Sequence, residues 1–301
     1  MLTTTTNLVL QQLQDDGIVA IPNLISNSVL RGMQQAFESK LRHLRWNDVD
    51  GYERTEKYRH MVQDVLALDQ GFVDLAIHPL VKDTLNEYLG TKYELVEAKG
   101  WKSLPTNKDF HGWHGDAWYD QGRVKEFIPR EVKVAFYLTD VNSGYFEYIK
   151  GSHRKQVPRM VRSKEINGIP DEQLFKAKGP AGTAIFFDTS GIHRQSVPML
   201  QPRHAVFYNY HDPSIPLQQE DIDYYRYHPL ILNAAFLGNL SSEDQRILGF
   251  GNKTNYIPSF TRKLRHAGFQ RIGESLFAQK LEWDKISDRV KGRLKKIIST
   301  K

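Results

Sequence analysis

The chain has 301 residues, of which 40% are hydrophobic and 25% charged, so it is long enough to fold around a substantial core. It contains no cysteine, which excludes disulfides, thiolate metal sites and a cysteine nucleophile. Its formal net charge of +6 is concentrated after residue 261, where twelve lysines and arginines face four carboxylates. No apolar run reaches membrane-spanning length and no signal peptide is visible, and we expect a soluble, cytoplasmic protein.

Residues 1–92 show helical periodicity with one short extended run, and we predict a mainly helical first zone. Serine favours the position before a helix, proline favours its first residue, and glycine often follows its last residue. These residues mark the start and the end of each predicted helix. The predicted elements are a helix over 8–16 that ends near Gly17, a strand over 18–22, a helix that begins after Ser26 or Ser28, and a helix from Pro79 to Gly90.

Residues 93–212 change to an alternation of period two, with glycine and proline between the runs. In 132–138, valine, phenylalanine and leucine alternate with Lys133, Ala135 and Tyr137, which predicts a half-buried strand. Many short strands without intervening helices favour a sandwich or barrel over a parallel sheet. We therefore predict a mainly β protein with flanking helices and a jelly-roll core. The predicted strands are 93–99, 132–138, 145–149, 183–187 and 204–210.

Residues 213–301 return to helical periodicity and carry the basic excess. Near the end, Ile286, Val290 and Leu294 recur at helical spacing among lysines and arginines, which predicts a basic amphipathic helix. We expect its apolar face to dock on the sheet and its charges to lie in solvent. The alternative is a contact with a membrane surface or a carrier protein. We expect no DNA partner, and the three zones form one predicted domain over residues 1–301.

Two histidines and one aspartate form the most informative set in the sequence. His114 and Asp116 are two residues apart, and side chains at that spacing point to the same face of an extended segment. A third ligand must come from another strand, and His193 follows the predicted strand 183–187. Two imidazoles and one carboxylate on one face of a metal suit iron(II) and leave positions open for a co-substrate and oxygen.

Three other histidines compete for these positions. His111 lacks a carboxylate two residues further on. His204 is an alternative third ligand, but it lacks the arginine that follows His193 after ten residues. His153 follows a glycine and a serine, which predicts a turn residue that fixes a loop by hydrogen bonds.

Arg203 extends the metal hypothesis to a particular kind of co-substrate. A dicarboxylate that chelates iron at one end needs a cation for its far carboxylate, and arginine binds a carboxylate through two parallel hydrogen bonds. The ten residues from His193 to Arg203 include Pro198 and Pro202, and they allow a turn with a return strand beside the first. An ordinary salt bridge at a strand edge is the alternative for Arg203 alone.

Several segments of the sequence together resemble one enzyme family. They are Trp113-His114-Gly115-Asp116, Asn142-Ser143-Gly144, Lys150-Gly151-Ser152-His153-Arg154, and the series Gly182, Phe187, Asp188, His193 and Arg203. This combination is similar to the phytanoyl-CoA dioxygenase family, and the resemblance covers about residues 1–210. Three positions depart from the family pattern, since Gly115 replaces a glutamine, Lys150 a proline and Val141 a glutamate.

The resemblance implies a double-stranded β-helix core, which is a jelly roll of the cupin-like type. It also implies an oxygenase that depends on Fe(II), 2-oxoglutarate and O2. In that family pattern, His114, Asp116 and His193 are the iron ligands. Arg203 then binds the distal carboxylate of 2-oxoglutarate.

The resemblance places further co-substrate contacts at Gln195 and Ser196, and less directly at Lys102. The implied reaction hydroxylates an unactivated C–H bond of a small molecule, such as a specialised metabolite or a lipid-like compound, with release of succinate and CO2. Halogenating relatives lack the carboxylate ligand. The presence of Asp116 therefore disfavours halogenation.

Substrate contacts are expected close to the first two ligands, at Trp118, Tyr119 and Arg123. The stretch 119–130 is polar and aperiodic, and we expect it to form a lid over the site. The aromatic residues are also compatible with core packing, and the arginine with a solvated position. Two other functions stay open: a jelly-roll isomerase or hydrolase that holds zinc or manganese without 2-oxoglutarate, and a binding protein that kept the fold and lost turnover.

Overall fold

The structure is a computed structural model. It describes residues 4–42, 58–109, 112–116, 131–154, 166, 168–215 and 230–249, together with Trp283, Ser287 and Val290. None of the helices in these ranges is both long enough and apolar enough to cross a lipid bilayer.

Five α-helices lie in the described ranges, and four of them precede the main run of strands. They are α1 (Thr4–Asp16), α2 (Asn27–Arg42), α3 (Gln70–Ala76), α4 (Pro79–Tyr88) and α5 (Ser242–Ile247). One predicted boundary is confirmed at each of three helices, although α1 begins at Thr4 and not near residue 8. Helix α1 ends before Gly17, and the carbonyl of Ser26 accepts from the amide of Leu30 at the start of α2. Helix α4 begins at Pro79, with the His78 side chain accepting a hydrogen bond from the amide of Leu80.

The strands form two antiparallel sheets. The six-stranded sheet has the order β1-β7-β4-β9-β3-β2, and the three-stranded sheet has the order β6-β5-β8. All six predicted strands are present, and three short ones (β2, β6 and β8) were not predicted. The strands are β1 (Ile18–Ile21), β2 (Arg59–Val62), β3 (Glu94–Ser103), β4 (Glu131–Tyr137), β5 (Val141–Ile149), β6 (Leu174–Gly179), β7 (Ala184–Asp188), β8 (His193–Gln195) and β9 (Arg203–His211).

The two sheets pack face to face, as a jelly roll requires. Side chains of the large sheet, such as Ala135 and Phe187, share one apolar cluster with Tyr148 and Ala177 of the small sheet. Consecutive strands of the second zone repeatedly pass from one sheet to the other. The predicted mainly β, jelly-roll fold is confirmed, with two sheets that do not close into a continuous barrel.

The first 92 residues contribute to this architecture in two ways. Strands β1 and β2 extend the large sheet at its two edges. The helices cover the outer face of the same sheet, where Phe37 and Phe72 join the core cluster that contains Val134 and Phe136 of β4. Every residue of β4 is therefore buried. The prediction that this strand is half-buried was wrong, because alternation within a strand does not reveal that helices cover its second face.

The connection from His193 to Arg203 also differs from the expected one. We expected β9 to return beside the strand that carries His193. Instead, β8 pairs with β5 in the small sheet, and β9 lies between β4 and β3 in the large sheet. The turn between them crosses from one sheet to the other, so Arg203 faces the His193 strand across the interior.

Three residues of the basic C-terminal segment are described, and all three are helical and exposed. Trp283 is 71% exposed and Val290 is 51% exposed. Val290 belongs to the apolar stripe that we expected to dock on the sheet, and at this position the side chain is not buried. The other residues of the stripe lie outside the described residues.

Candidate metal centre

The segment 112–116 reaches the metal position by pairing with the start of β8. His114 and His193 exchange backbone hydrogen bonds at 3.0 and 2.7 Å and form an isolated β-bridge. The amide of Asp116 donates to the carbonyl of Thr189 at 2.8 Å. These bonds place the two histidine rings side by side, with their centroids 4.4 Å apart.

The three side chains converge on one point. Asp116 Oδ1 lies 3.6 Å from Nε2 of His114, and Asp116 Oδ2 lies 3.5 Å from Nε2 of His193. One donor atom from each residue lies within 4.8 Å of the other two. This is a set of two imidazoles and one carboxylate that can bind a divalent metal on one face.

Backbone carbonyls orient both imidazoles. Nδ1 of His114 is 3.0 Å from the carbonyl oxygen of Gly112, and Nδ1 of His193 is 2.9 Å from that of Gly191. A carbonyl oxygen only accepts, so Nδ1 carries the proton in each ring. The lone pair then lies on Nε2, the atom that points towards Asp116, which is the arrangement that metal-binding histidines need.

The carboxylate is oriented by a lysine from the opposite sheet. Lys133 of β4 donates from Nζ to Oδ2 of Asp116 at 2.5 Å. Burial would raise the pKa of Asp116, but the Lys133 ammonium and then the two histidines hold it well below its usual value. Burial would lower the pKa of Lys133, yet nearby carboxylates, Asp116 first, raise it to about 12. The pair is therefore ionic at neutral pH.

A cluster of aromatic rings packs around His193. The ring centroids of Phe146 and Phe187 lie 5.0 and 5.4 Å from that of His193. Tyr148 is stacked parallel to the imidazole at 6.3 Å and donates its hydroxyl hydrogen to the carbonyl of Asp188. These contacts restrict the rotation of the ring and keep Nε2 at the metal position.

Asp188 supports the turn between β7 and β8, and sequence reasoning gave it no role. Its side chain is fully buried; Oδ1 accepts from the amide of Ser190 and Oδ2 from the hydroxyl of Tyr88, both at 2.8 Å. The carbonyls of Thr189 and Gly191 in the same turn accept hydrogen bonds from the amide of Asp116 and from Nδ1 of His193. The sequence signal for this role was the position of Asp188, a carboxylate at the end of a continuous run of apolar residues.

The departure at Gly115 has a steric explanation. A Cβ atom at this position would lie 3.2 Å from the carbonyl oxygen of Ser190. The glycine allows the segment that carries His114 and Asp116 to approach the turn before β8 closely. A larger residue at this position would require the turn to shift.

Arg203 begins β9 and is only 7% exposed. It donates from Nη1 to the carbonyl of Gly144 at 2.5 Å and from Nη2 to Oε1 of Gln195 at 3.0 Å. Gln195 and His193 share one face of β8, so their Cα atoms are about 7 Å apart. Arg203 contacts Gln195, which is two residues after His193 on the same face of β8, so Arg203 lies close to the candidate metal position.

The guanidinium has no anionic partner in the described ranges. Burial lowers the pKa of Arg203, and the opposing effect comes from the hydroxyl of Tyr137 and not from a carboxylate. Its Nε is buried and makes no hydrogen bond to any described group. A buried cation of this kind is expected to bind an anionic ligand, because an unpaired charge is costly to bury.

The structure separates other candidate residues from this site. His204 points to the helix side of β9, where its Nδ1 is 3.1 Å from Glu38 and its ring contacts Phe37. Lys102 pairs with His204 in register and therefore shares that side of the sheet, away from Arg203. Neither His204 as a metal ligand nor Lys102 as a co-substrate contact is compatible with these positions.

Two further expectations concern loops. His153 is buried in a short helical turn, and its Nε2 is hydrogen-bonded to the carbonyl of Gln14, which confirms it as a residue that fixes a loop. Ser196 is buried, and its amide donates to the carbonyl of Tyr145. Its side chain remains a predicted co-substrate contact. The expected substrate contacts Trp118, Tyr119 and Arg123, and the competing His111, lie outside the described residues.

A jelly roll that brings two histidines and a carboxylate to one point is typical of non-haem metal oxygenases. The chain belongs to the phytanoyl-CoA dioxygenase (PhyH) family, whose model matches residues 13–196. The resemblance found in the sequence motifs is therefore confirmed. No curated protein sequence matches the chain.

Solved structures of two proteins share the fold. HygX from Streptomyces hygroscopicus, with nickel and 2-oxoglutarate bound, aligns with a TM-score of 0.54 and 15% identity, covering 73% of this chain and 90% of HygX. The epimerase SnoN, in complex with Fe3+, alpha ketoglutarate and nogalamycin RO, aligns with a TM-score of 0.52 and 16% identity, covering 74% of this chain and 89% of SnoN.

Proposed function

We propose that this protein is an Fe(II)- and 2-oxoglutarate-dependent oxygenase that hydroxylates a C–H bond of a small molecule. The observation that carries the proposal is the placement of Arg203. It is a buried cation without a carboxylate partner among the described residues, and it lies beside a set of side chains that can hold a divalent metal. The position fits a ligand with one carboxylate at the metal and another at the guanidinium.

Membership of the PhyH family supports this co-substrate, as do the 2-oxoglutarate bound in HygX and the alpha ketoglutarate bound in SnoN. His114, Asp116 and His193 would hold the iron, each through the atom that faces the shared point. Arg203 would bind the distal carboxylate.

Gln195 and Ser196 would complete the co-substrate site. The amide oxygen of Gln195 holds one arm of the Arg203 guanidinium and so sets the direction in which the remaining donors point. Bound iron(II), 2-oxoglutarate and O2 together supply an oxidant strong enough for an unactivated C–H bond, with succinate and CO2 as co-products. Trp118, Tyr119 and Arg123 are our candidates for the substrate contacts.

Hydroxylation is the outcome that we propose at the substrate. Asp116 occupies the ligand position that a halide would need, so halogenation is disfavoured. SnoN is an epimerase, and inversion of a carbon centre is the specific alternative that this neighbour raises. A metal-dependent isomerase or hydrolase that does not use 2-oxoglutarate would leave the buried cation of Arg203 without a ligand.

An anaerobic titration tests the proposal. Iron(II) and 2-oxoglutarate are added to the purified protein, and the visible metal-to-ligand charge-transfer band is followed. The band is expected for the wild type, and its absence in folded, iron-loaded protein would refute the proposed function. Arg203→Met should weaken 2-oxoglutarate binding roughly thirtyfold or more, the cost of removing one partner of a buried charge pair, and leave iron affinity within about threefold.

Lys102→Met is the matched control for the arginine variant. Lys102 lies on β3, the strand next to Arg203, and it is paired with His204, the residue after Arg203. This variant removes a positive charge close to Arg203 in the sheet, but from the opposite side, which faces the helices. Its 2-oxoglutarate affinity should equal that of the wild type.

Mass spectrometry of the product from metabolite screens then separates two outcomes, since hydroxylation adds one oxygen atom and epimerisation leaves the mass unchanged.

A further inference from the structure

The three proposed ligands are held in different ways. Each histidine is oriented by a backbone carbonyl two residues earlier in its own segment. Asp116 is oriented by a side chain, and that side chain comes from the opposite sheet. Lys133 therefore joins the large sheet to a ligand carried by the segment that pairs with the small sheet.

We infer that Lys133 is a positioning residue that keeps Oδ2 of Asp116 off the metal, so that the carboxylate binds through Oδ1 alone. This inference rests on the proposed function, because its consequence concerns the free metal positions. Two imidazoles and one carboxylate oxygen occupy three of six positions, 2-oxoglutarate occupies two, and one remains for O2. If the carboxylate bound through both oxygens, it would fill that last position.

The backbone around Asp116 does not determine which oxygen faces the metal. The amide of Asp116 is fixed by the carbonyl of Thr189, but the residue lies outside the strands, and its carboxylate can rotate about the side chain. The two oxygens are also nearly equivalent in their distances to the histidines, 3.6 Å to His114 and 3.5 Å to His193. The contact from Lys133 to Oδ2 removes this equivalence.

Lys133 is well suited to hold one oxygen. It lies on a central strand, paired in register with Phe187 of β7 and Asn209 of β9, so its backbone is fixed on both sides. Its side chain is nearly buried, with 11% of its surface exposed. A cation held this rigidly restrains the carboxylate oxygen that it contacts.

Charge neutralisation is the competing explanation. A buried carboxylate needs a cation nearby, and Lys133 would satisfy Asp116 without affecting how it binds a metal. The two explanations differ in what happens when the lysine loses its charge and its donor. Simple neutralisation predicts that the free metal position stays free, and positioning predicts that Oδ2 moves onto the metal and fills it.

Lys133→Met tests the inference on the iron(II) and 2-oxoglutarate complex, with nitric oxide as the probe for the free position. The charge-transfer band should persist, and the nitrosyl electron paramagnetic resonance signal should require about tenfold more nitric oxide, the size of effect typical for partners of metal ligands. Lys133→Arg keeps a charged donor and should bind nitric oxide within about threefold of the wild type. Unchanged nitric oxide binding in Lys133→Met would overturn the inference, and so would loss of iron from a folded Lys133→Met protein.

Lys99→Met is the matched control. Lys99 is another buried lysine on the same face of the large sheet, and it is paired with Glu97. Its removal should leave nitric oxide binding unchanged. An equal defect in Lys99→Met and Lys133→Met would show that any buried lysine of this sheet has the effect, and it would overturn the assignment.

A crystal structure of the wild type with nickel alone provides a second measurement that needs no variant. One oxygen of Asp116 on the nickel, with Lys133 still on the other oxygen, supports the inference. Both oxygens on the nickel would overturn it. Because this experiment contains no 2-oxoglutarate, its result is separate from the proposed function, which is tested by co-substrate binding and by the mass of the product.

Discussion

Arg203 and Gln195 are hydrogen-bonded across the interior between the two sheets, with Nη2 donating to Oε1 at 3.0 Å. Gln195 shares its face of β8 with His193, so one short strand carries both a proposed metal ligand and the residue that orients the guanidinium. In the proposed function, the distance between the metal and the distal carboxylate of the co-substrate therefore depends on where His193, Gln195 and Arg203 lie on their strands. This coupling leads to the first prediction.

Gln195→Glu should weaken 2-oxoglutarate binding by at least about tenfold, because the new carboxylate would pair with Arg203 and compete with the ligand. Gln195→Ala removes only the orienting acceptor and should have a smaller effect. Iron affinity should stay within about twofold in both variants, because residue 195 is not one of the proposed metal ligands. The charge-transfer titration measures both quantities, and wild-type affinity in Gln195→Glu would show that Arg203 does not bind the co-substrate.

Gly191→Ala should destabilise the protein by about 1–3 kcal/mol, because the new methyl group would overlap a buried ring. A Cβ at Gly191 would lie 1.8 Å from the hydroxyl oxygen of Tyr148, a side chain that is fully buried and stacked against His193. The expected result is a lower melting temperature and weaker metal binding, since the carbonyl of Gly191 orients the imidazole.

Gly238→Ala is the control for that substitution. A Cβ at Gly238 would have no atom within 4 Å. Its melting temperature should equal that of the wild type. A Gly191→Ala protein with the same melting temperature and metal affinity as Gly238→Ala would contradict the packing described around His193.

The ion pair between Lys82 of α4 and Asp244 of α5 should make stability depend on acidic pH. Lys82 Nζ lies 2.7 Å from Asp244 Oδ1. Burial would raise the pKa of Asp244, but hydrogen bonds from Lys82 and Ser241 lower it overall. A carboxyl with a lowered pKa in the folded state stabilises the protein above its unfolded pKa, and this contribution is lost as the pH falls through the folded value.

Asp244→Asn should therefore lower the free energy of unfolding at pH 7 by about 0.5–1 kcal/mol, a small value because the pair lies at the surface and both side chains keep some contact with solvent. The difference from the wild type should shrink once the pH falls below the unfolded pKa of about 4, and it should disappear below the lowered pKa of the folded state. Urea unfolding at several pH values measures this. Lys82→Met should show the same pH profile, and a constant difference at all pH values would attribute the effect to helix capping alone.

Local sequence signals were sufficient to predict that His114 and Asp116 lie side by side, and to predict most strands. His114 and Asp116 lie side by side because alternation in extended backbone is a local property. The contact of Lys133 with Asp116 was not predictable, because a lysine in an alternating strand normally indicates a solvent-facing position. That face is buried only because the second sheet covers it. The crossing of β9 into the other sheet is likewise set by strand pairing between distant segments, which spacing along the chain does not encode.

The fully buried Asp188 provides the last prediction. Asp188→Ala leaves the amide of Ser190 and the hydroxyl of Tyr88 without their acceptor, and it should cost about 2–4 kcal/mol of stability. Asp188→Asn keeps an acceptor for Ser190 and should cost about 1 kcal/mol. Because the same turn carries the carbonyl that orients His193, Asp188→Ala should also weaken nickel binding by about tenfold. Calorimetric titration with nickel checks this, with Tyr88→Phe as the comparison, since that variant removes one hydrogen bond and keeps the turn. Nickel affinity in Asp188→Ala equal to that in Tyr88→Phe would mean that the turn is held without the carboxylate.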